Sequence, residues 1–567
     1  MKKPPSTGKQ EPANWIAIAV IVAVGIAAHG LLLLTDYVIW DGWWIQAFLQ
    51  NPSDWSNFQR IFSEAGRNLD VVWYLPLLGQ SACVVISKFV SVLCWLLSGV
   101  LVYQLMLAMA VFDRQQAFMV AALGVTLPLY DVLGDLNSLS FTMPVPLFYA
   151  GWLSLIASEN HRGSRAFVLR VLSALLFLAS FTLPSLLVLF YAILAIWALV
   201  LVGRRIDVAA SSTECVRRFW YMAPFALLPV VFWVVKGALS PAHGQNASYN
   251  AVSLNGRQFI EVYWSLVQTL YQTAVNLAFE HTWIVIVAVV GAVICGVVLK
   301  AGNCASDGRS SSPSGPAFIG AGVFLLGVVA FPYAAVNQPF AAEGWWTRCN
   351  ILLNYPTALV IVGTIVWWQS SFFPEKPRAA FIPFVALILA GIGANTVNYA
   401  SYQALGAKQL AVQDILAKTI REHRPTVLQV RDYFAIEGTI NWYPPAIWSF
   451  IAAGGKTRLS TFVLDTRSVA EDQMAQKDGH VQVSIPFLNV GGADLQAMLS
   501  ETRLPFVFEV PALENRQTLV VFQAAKPASS SALLGLDYLK TKFFSPETLP
   551  AFLDGLVVHQ SSSAPSS

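Results

Sequence analysis

The sequence predicts a polytopic α-helical membrane protein of about eleven transmembrane helices with a C-terminal soluble α/β domain. Three observations carry that prediction. Charged residues make up only 12% of the 567-residue chain and apolar ones 56%, whereas soluble domains carry about 25% charged residues. Apolar runs of about 20 residues, the length that crosses a bilayer as a helix, recur as far as residue 398. Past that point the runs shorten and alternate with polar segments.

The expected spans fall at roughly 15–34, 83–107, 117–130, 141–157, 166–182, 184–202, 219–237, 282–299, 317–335, 349–368 and 380–398. The first reads WIAIAVIVAVGIAAHGLLLL. It is longer than the apolar core of a signal peptide, about 7–15 residues, and reads as a retained helix. Lys2, Lys3 and Lys9 hold its N-terminus in the cytoplasm. The third and fifth spans are short, and Pro184 divides a longer apolar run. His29, in the first span, reads equally as a packing residue or a functional one.

The loops agree with that orientation. Arg114, Arg162, Arg165, Arg204, Arg205, Arg217, Arg218, Lys300, Arg309, Lys376 and Arg378 all fall on the cytoplasmic side, as the positive-inside rule requires. Residues 35–82, 131–140, 238–281 and 336–348 then fall outside, with everything beyond 398. Within them GWWIQAFLQ, WSNFQRIF and residues 257–279 have the pattern of amphipathic helices lying in the membrane interface. Residues 302–316 read as a flexible cytoplasmic linker.

The expected domains are a membrane domain over 1–398, a soluble domain over 399–555 and a disordered tail over 556–567. The soluble part opens with a polar helix at 408–424, then VLQVRDYF, AIWSFIAAG, TRLSTFVLD, LPFVFEVP and TLVVFQAA. It has no GxGxxG, P-loop or metal-spaced His/Cys cluster. The six cysteines form no CxxC pair. A net charge of +3 gives no basis for nucleic-acid binding.

Asp36 and Asp41 lie just past the first span, beside Trp40, Trp43 and Trp44. Carboxylates at a membrane interface suit general-base work on an acceptor hydroxyl, metal binding or substrate orientation; the bland alternative is a solvated loop. Asp131 and Asp135, in YDVLGDLNS, either complete a carboxylate cluster with Asp41 or stabilise a turn. Arg67, in SEAGRNLD, and Arg348, in EGWWTRCN, sit on the outer side against the charge bias. A guanidinium there suits bidentate phosphate binding, or pairs with Glu64 or Glu343. Lys88 and Lys236, near outer span ends, are lesser phosphate candidates that also suit snorkelling.

The first loop, TDYVIWDGWWI followed by SEAGRNLDVVWYLPLL, resembles that of GT-C superfamily glycosyltransferases, in particular the bacterial branch related to O-antigen glucosyltransferases. Asp36, Asp41, Gly66, Arg67 and Leu69 carry the likeness. FPYAAVNQPFAAEGWWTRCNILLNYPTAL is similar to the late external loop of that family, with Trp345 and Arg348 in its Trp-x-x-Arg segment. Many relatives have two adjacent acidic residues in the first loop; here Asp41 is followed by Gly42.

The resemblance implies hexosyl or pentosyl transfer from a polyprenyl-phosphate sugar to a glycan, lipid or protein acceptor. The reaction would take place at the outer face of a bacterial inner membrane. Asp41 or Asp36 would be the base. Arg348 and Arg67 would hold the leaving lipid phosphate, with Asp131, Asp135, Trp345 and Lys88 as further substrate contacts. A divalent cation, Mg or Mn, is an open cofactor. Three rival readings are a lipid-linked glycan polymerase or ligase, a transporter or flippase, and, third, a non-enzymatic membrane scaffold presenting its outer domain. Neither the large Arg-rich loop of the first nor the internal repeat of the second is found.

Overall fold

The computed structural model describes residues 11–563 apart from 36, 40–41, 51, 53–54, 110–111, 207–211, 244–250, 254, 281, 302–314 and 375–379. Between 424 and 529 it describes five strands, Ile436 and Thr439. The helices are α1 (Glu11–His29), α2 (Gly42–Gln50), α3 (Trp55–Glu64), α4 (Cys83–Met109) and α5 (Arg114–Thr126). There follow α6 (Leu139–Thr142), α7 (Pro144–Glu159), α8 (Gly163–Ser180), α9 (Ser185–Ile206) and α10 (Ser212–Leu239). The last are α11 (Gly256–Val275), α12 (Thr282–Ala301), α13 (Gly315–Ala335), α14 (Asn354–Phe372), α15 (Phe381–His423) and, near the C-terminus, α16 (Ser531–Phe544).

Among the described residues seven helices are long and apolar enough to cross a membrane, or nine if two bent pairs each count once. The chain is a polytopic helical membrane protein. Against about eleven expected spans, the difference lies in two segments. The expected 117–130 span is α5, only 13 residues, or about 20 Å at 1.5 Å per residue. The expected 184–202 span is α9, whose apolar stretch is the shorter Ser185–Leu199. The bent pairs are α11 with α12, at 78°, and Trp346–Leu352 with α14, at 60°.

The core is built around α5, which packs against α1, α4, α14 and α15. Asp113 starts it with a capping box: its carboxylate accepts from the Gln116 N–H, and the Gln116 side chain accepts from the Asp113 N–H. Pro128 follows Leu127, which takes the extended backbone that precedes a proline, and the helix stops.

The amphipathic pattern of α2 and α3 is real, but protein rather than lipid covers the apolar faces. Trp43, Ile45, Phe48, Phe58 and Phe62 are all buried. By contrast α11 leaves Ile260, Trp264, Val267 and Tyr271 exposed as one stripe.

α15 is a single helix of 43 residues, about 65 Å long. It runs straight through residue 398, and its continuation buries Tyr399, Tyr402, Leu405 and Val412. α16 returns to dock on it so closely that a Cβ on Gly535 would collide with the Ala400 carbonyl oxygen. Between α15 and α16 lie the strands β1 (Val427–Asp432), β2 (Ser460–Leu464), β3 (Met474–Lys477), β4 (His480–Val483) and β5 (Gln517–Ala524), and after α16 comes β6 (Val557–Ser563). One sheet has the order β2-β1-β5-β6, parallel except for the antiparallel β5–β6 pair; β3 and β4 form a separate antiparallel ribbon. The tail expected to be disordered therefore pairs with β5 as far as Ser563; residues 564–567 lie outside the described residues. AIWSFIAAG, LPFVFEVP and most of the 302–316 linker also lie outside them.

Candidate functional site

The short α5 ends inside the bundle, where its last carbonyls have no intrahelical partner. Side chains from four other helices satisfy them. Asn354 Nδ2 donates to Gly124 O at 3.1 Å and Leu127 O at 3.0 Å. Asn395 Nδ2 donates to Thr126 O at 2.9 Å. Val125 O accepts from His29 Nε2 at 2.7 Å and Trp95 Nε1 at 3.2 Å. A carbonyl only accepts, so Nε2 carries the His29 proton and Nδ1 accepts from Tyr399 Oη at 2.8 Å. His29 is thus a packing residue that caps a buried helix end.

This cap fixes the loop that follows, residues 127–138, which carries Asp131 and Asp135. Asn350 Nδ2 joins that loop to the late loop, donating to Leu129 O at 2.9 Å and Ala341 O at 2.7 Å. The half-buried Asp131 accepts from Asn398 Nδ2 at 3.2 Å. It also accepts from the Gly344 N–H. Gly344 has φ +78°, a left-handed conformation that suits glycine. Burial, and secondarily the nearby Glu343 carboxylate, push the Asp131 carboxyl up to about 7. Glu343 is itself held by Asn276 Nδ2 at 2.6 Å.

Asp135 is fully buried and accepts from the Asn137 N–H at 3.3 Å. It lies against Gly42, where any Cβ would collide with Asp135 Oδ1. Gly42 begins α2 and follows Asp41 in the chain. A second acidic residue at position 42 would therefore displace the Asp135 carboxylate.

Lys88 is buried, and its Nζ donates to Thr35 O at 3.0 Å and Tyr37 O at 2.7 Å, 4.0 Å from the Tyr37 ring centre. Gln409 grips the next residue from α15, accepting from Val38 N–H at 3.0 Å and donating to Val38 O at 2.7 Å. The Tyr37 ring stacks on Tyr402 at 4.6 Å, and its hydroxyl lies against Gly134. Both flanks of position 36 are thus pinned, while Asp36 and Asp41 themselves lie outside the described residues.

The two arginines part company. Arg67 Nε donates to Asp70 at 2.5 Å and Nη2 to Ser140 Oγ at 3.0 Å. Its guanidinium also lies 5.4 Å from the Phe62 ring and 5.0 Å from Phe141. Asp70 is buried; burial raises its carboxyl pKa, opposed by Arg67 and then Lys236. This knot ties the first loop to α6. The partner of Arg67 is Asp70, not Glu64, which pairs with Arg60 at 3.7 Å. Arg348 is 9% exposed, stacked 4.7 Å over the Trp346 ring on the 3-10 helix Trp345–Leu352. The Trp345 side chain is outside the described residues.

The structure thus brings Asp131, Glu343 and the segment leading into Arg348 together, sets Asp135 against the start of α2, and gives Lys88 and Arg67 hydrogen-bond partners within the protein. Sequence reasoning missed Asp70, Asn398 and Gln409. The last two belong to a polar row on α15, with Asn395, Tyr399 and Tyr402 at helical spacing. Among the described residues no cluster of three or more His, Cys, Asp or Glu could hold a metal ion. No family model matches the chain, and no curated protein and no solved structure matches it.

Proposed function

We propose that the chain is a glycosyltransferase that moves a sugar from a polyprenyl-phosphate donor to an acceptor at the outer membrane face. The observation that carries this reading is the convergence of three loops on one carboxylate site, with Asp131 holding its proton close to neutral pH between burial and Glu343. Such a carboxylate is matched to accept a proton from a hydroxyl nucleophile. Asp41 or Asp36 is the base that the first-loop resemblance favours; Asp131 is the one that the described geometry favours.

In either case the acceptor oxygen bonds to the anomeric carbon as the bond to the lipid phosphate breaks. The hydroxyl proton passes to the carboxylate and the charge to the leaving phosphate. Arg348, on the 3-10 helix that follows Gly344, is the cation we assign to that growing charge. The apolar belt of the bundle suits a lipid-linked donor.

The test is transfer from a panel of radiolabelled polyprenyl-phosphate sugars by the purified protein, with a cell-envelope extract as acceptor. Transfer from one donor, lost in Asp41→Asn or Asp131→Asn proteins that remain folded, supports the reading and assigns the base. Wild-type protein that transfers from no donor, with donor and acceptor shown intact by a second transferase, contradicts it.

A further inference from the structure

The Arg67 turn leads into ten residues of 3-10 helix, Asn68–Leu77. This helix repeats every three residues, so side chains at i and i+3 eclipse, and runs beyond about four residues are uncommon. The sequence follows that period. Val71, Tyr74 and Leu77 form one buried row, while Leu69, Val72 and Leu75 form another that is 43%, 54% and 49% exposed.

α3 lies alongside. Its apolar positions Phe58 and Phe62 turn inward against Tyr74, at ring separations of 5.4 and 5.7 Å. Its polar positions Ser56, Gln59, Arg60 and Ser63, spaced i, i+3, i+4 and i+7, make one wall of a groove of about 520 Å³. Val72 and Leu75 of the 3-10 row make the opposite wall, with Trp55 also in the lining. None of these residues belongs to the Asp131 site. α4, which begins six residues after the 3-10 helix, exposes Ile86, Phe89, Leu93 and Leu97 along one face. That is a lipid-facing stripe, so the groove opens at the level where the bilayer begins.

We infer that this groove binds a single anionic membrane lipid with a hydroxyl-bearing phosphate head group, its chain along Val72 and Leu75 and its head against α3. The two walls are chemically opposed, as an amphiphile requires. The polar wall holds one cation and several neutral hydrogen-bonding groups. Arg60, balanced against Glu64, brings a planar guanidinium suited to a phosphate. Ser56, Gln59 and Ser63 of α3, with Asn68 from the 3-10 helix, match hydroxyls. A choline head has no hydroxyl or N–H to offer that wall. The site is distinct from the transferase reading and does not depend on it.

The test places the whole protein in nanodiscs with phosphatidylglycerol or phosphatidylcholine bearing a photoreactive group on the chain. Cross-linked peptides are mapped by mass spectrometry. The expected result is labelling of residues 55–75 by the glycerol lipid, about tenfold above the choline lipid, which carries the same phosphate but no head-group hydroxyl. Arg60→Gln weakens labelling there by both lipids, and Ser63→Trp fills the groove and abolishes it. Should Ser63→Trp fail to fold, competition by unlabelled phosphatidylglycerol on the wild type decides instead. Equal labelling by both lipids, or labelling that survives Ser63→Trp or excess competitor, overturns the inference.

Discussion

Asp131 is the residue on which the electrostatics of the site turn. Its carboxyl holds a proton to about pH 7 in the folded chain, against about 3.9 in an unfolded one. The folded state therefore favours the protonated form. The stabilising contribution is fully present below the unfolded value and is lost as pH rises through about 7. Asp131→Asn should flatten the fall in stability over that window, as measured by unfolding in mixed detergent across pH. At Gly42 the prediction is steric. Gly42→Ala forces a methyl onto the Asp135 carboxylate and should cost about 1–3 kcal/mol, the usual penalty for overpacking. Asp135→Ala in the same chain should recover part of that cost, and a double-mutant cycle reads the coupling directly. At Arg67 an ion pair was expected with Glu64 or Glu343, whereas the partner is Asp70, three residues on in GRNLD at the spacing of a local ion pair. The role of Lys88 was not legible, because its partners are backbone carbonyls of a loop more than 50 positions away.

At the scale of elements the decisive feature is the short α5 and its cap. Asn354 satisfies two carbonyls at once. Asn354→Ala leaves both buried and unpaired, at about 1–3 kcal/mol for each. The loss should appear as a lower unfolding midpoint and as faster hydrogen exchange in residues 124–135. An unchanged midpoint would mean that water reaches that helix end. The apolar spans were legible because a bilayer imposes length and hydropathy on each segment separately. That α5 is short was legible too, since Pro128 follows it; the side chains that satisfy its buried end were not, because Asn354, Asn395 and His29 converge only in the folded bundle. The interfacial pattern of α2 and α3 was read correctly as amphipathic, but periodicity cannot say whether lipid or protein covers the apolar face.

The whole molecule is a helical membrane body whose last long helix, α15, links the loop end of the bundle to the C-terminal segment. Gln409 on α15 holds the first loop, Asn398 holds Asp131, and Gly535 of α16 packs on Ala400 of the same helix. Gly535→Leu should undock α16, because the side chain meets backbone rather than a flexible neighbour. Limited proteolysis should then cut within residues 525–545 while the membrane body stays intact. Uncut protein would show that the contact tolerates repacking.

The central claim, that the three-loop carboxylate site carries out sugar transfer, is tested most directly by the dependence of the transfer rate on pH in wild-type and Glu343→Gln proteins. The account predicts that the wild-type rate rises through about pH 7 as the Asp131 proton leaves. It predicts that the rise moves to lower pH in Glu343→Gln, where the neighbouring charge is gone. A rise at the same pH in both proteins, or a rate without pH dependence in this range, would contradict it.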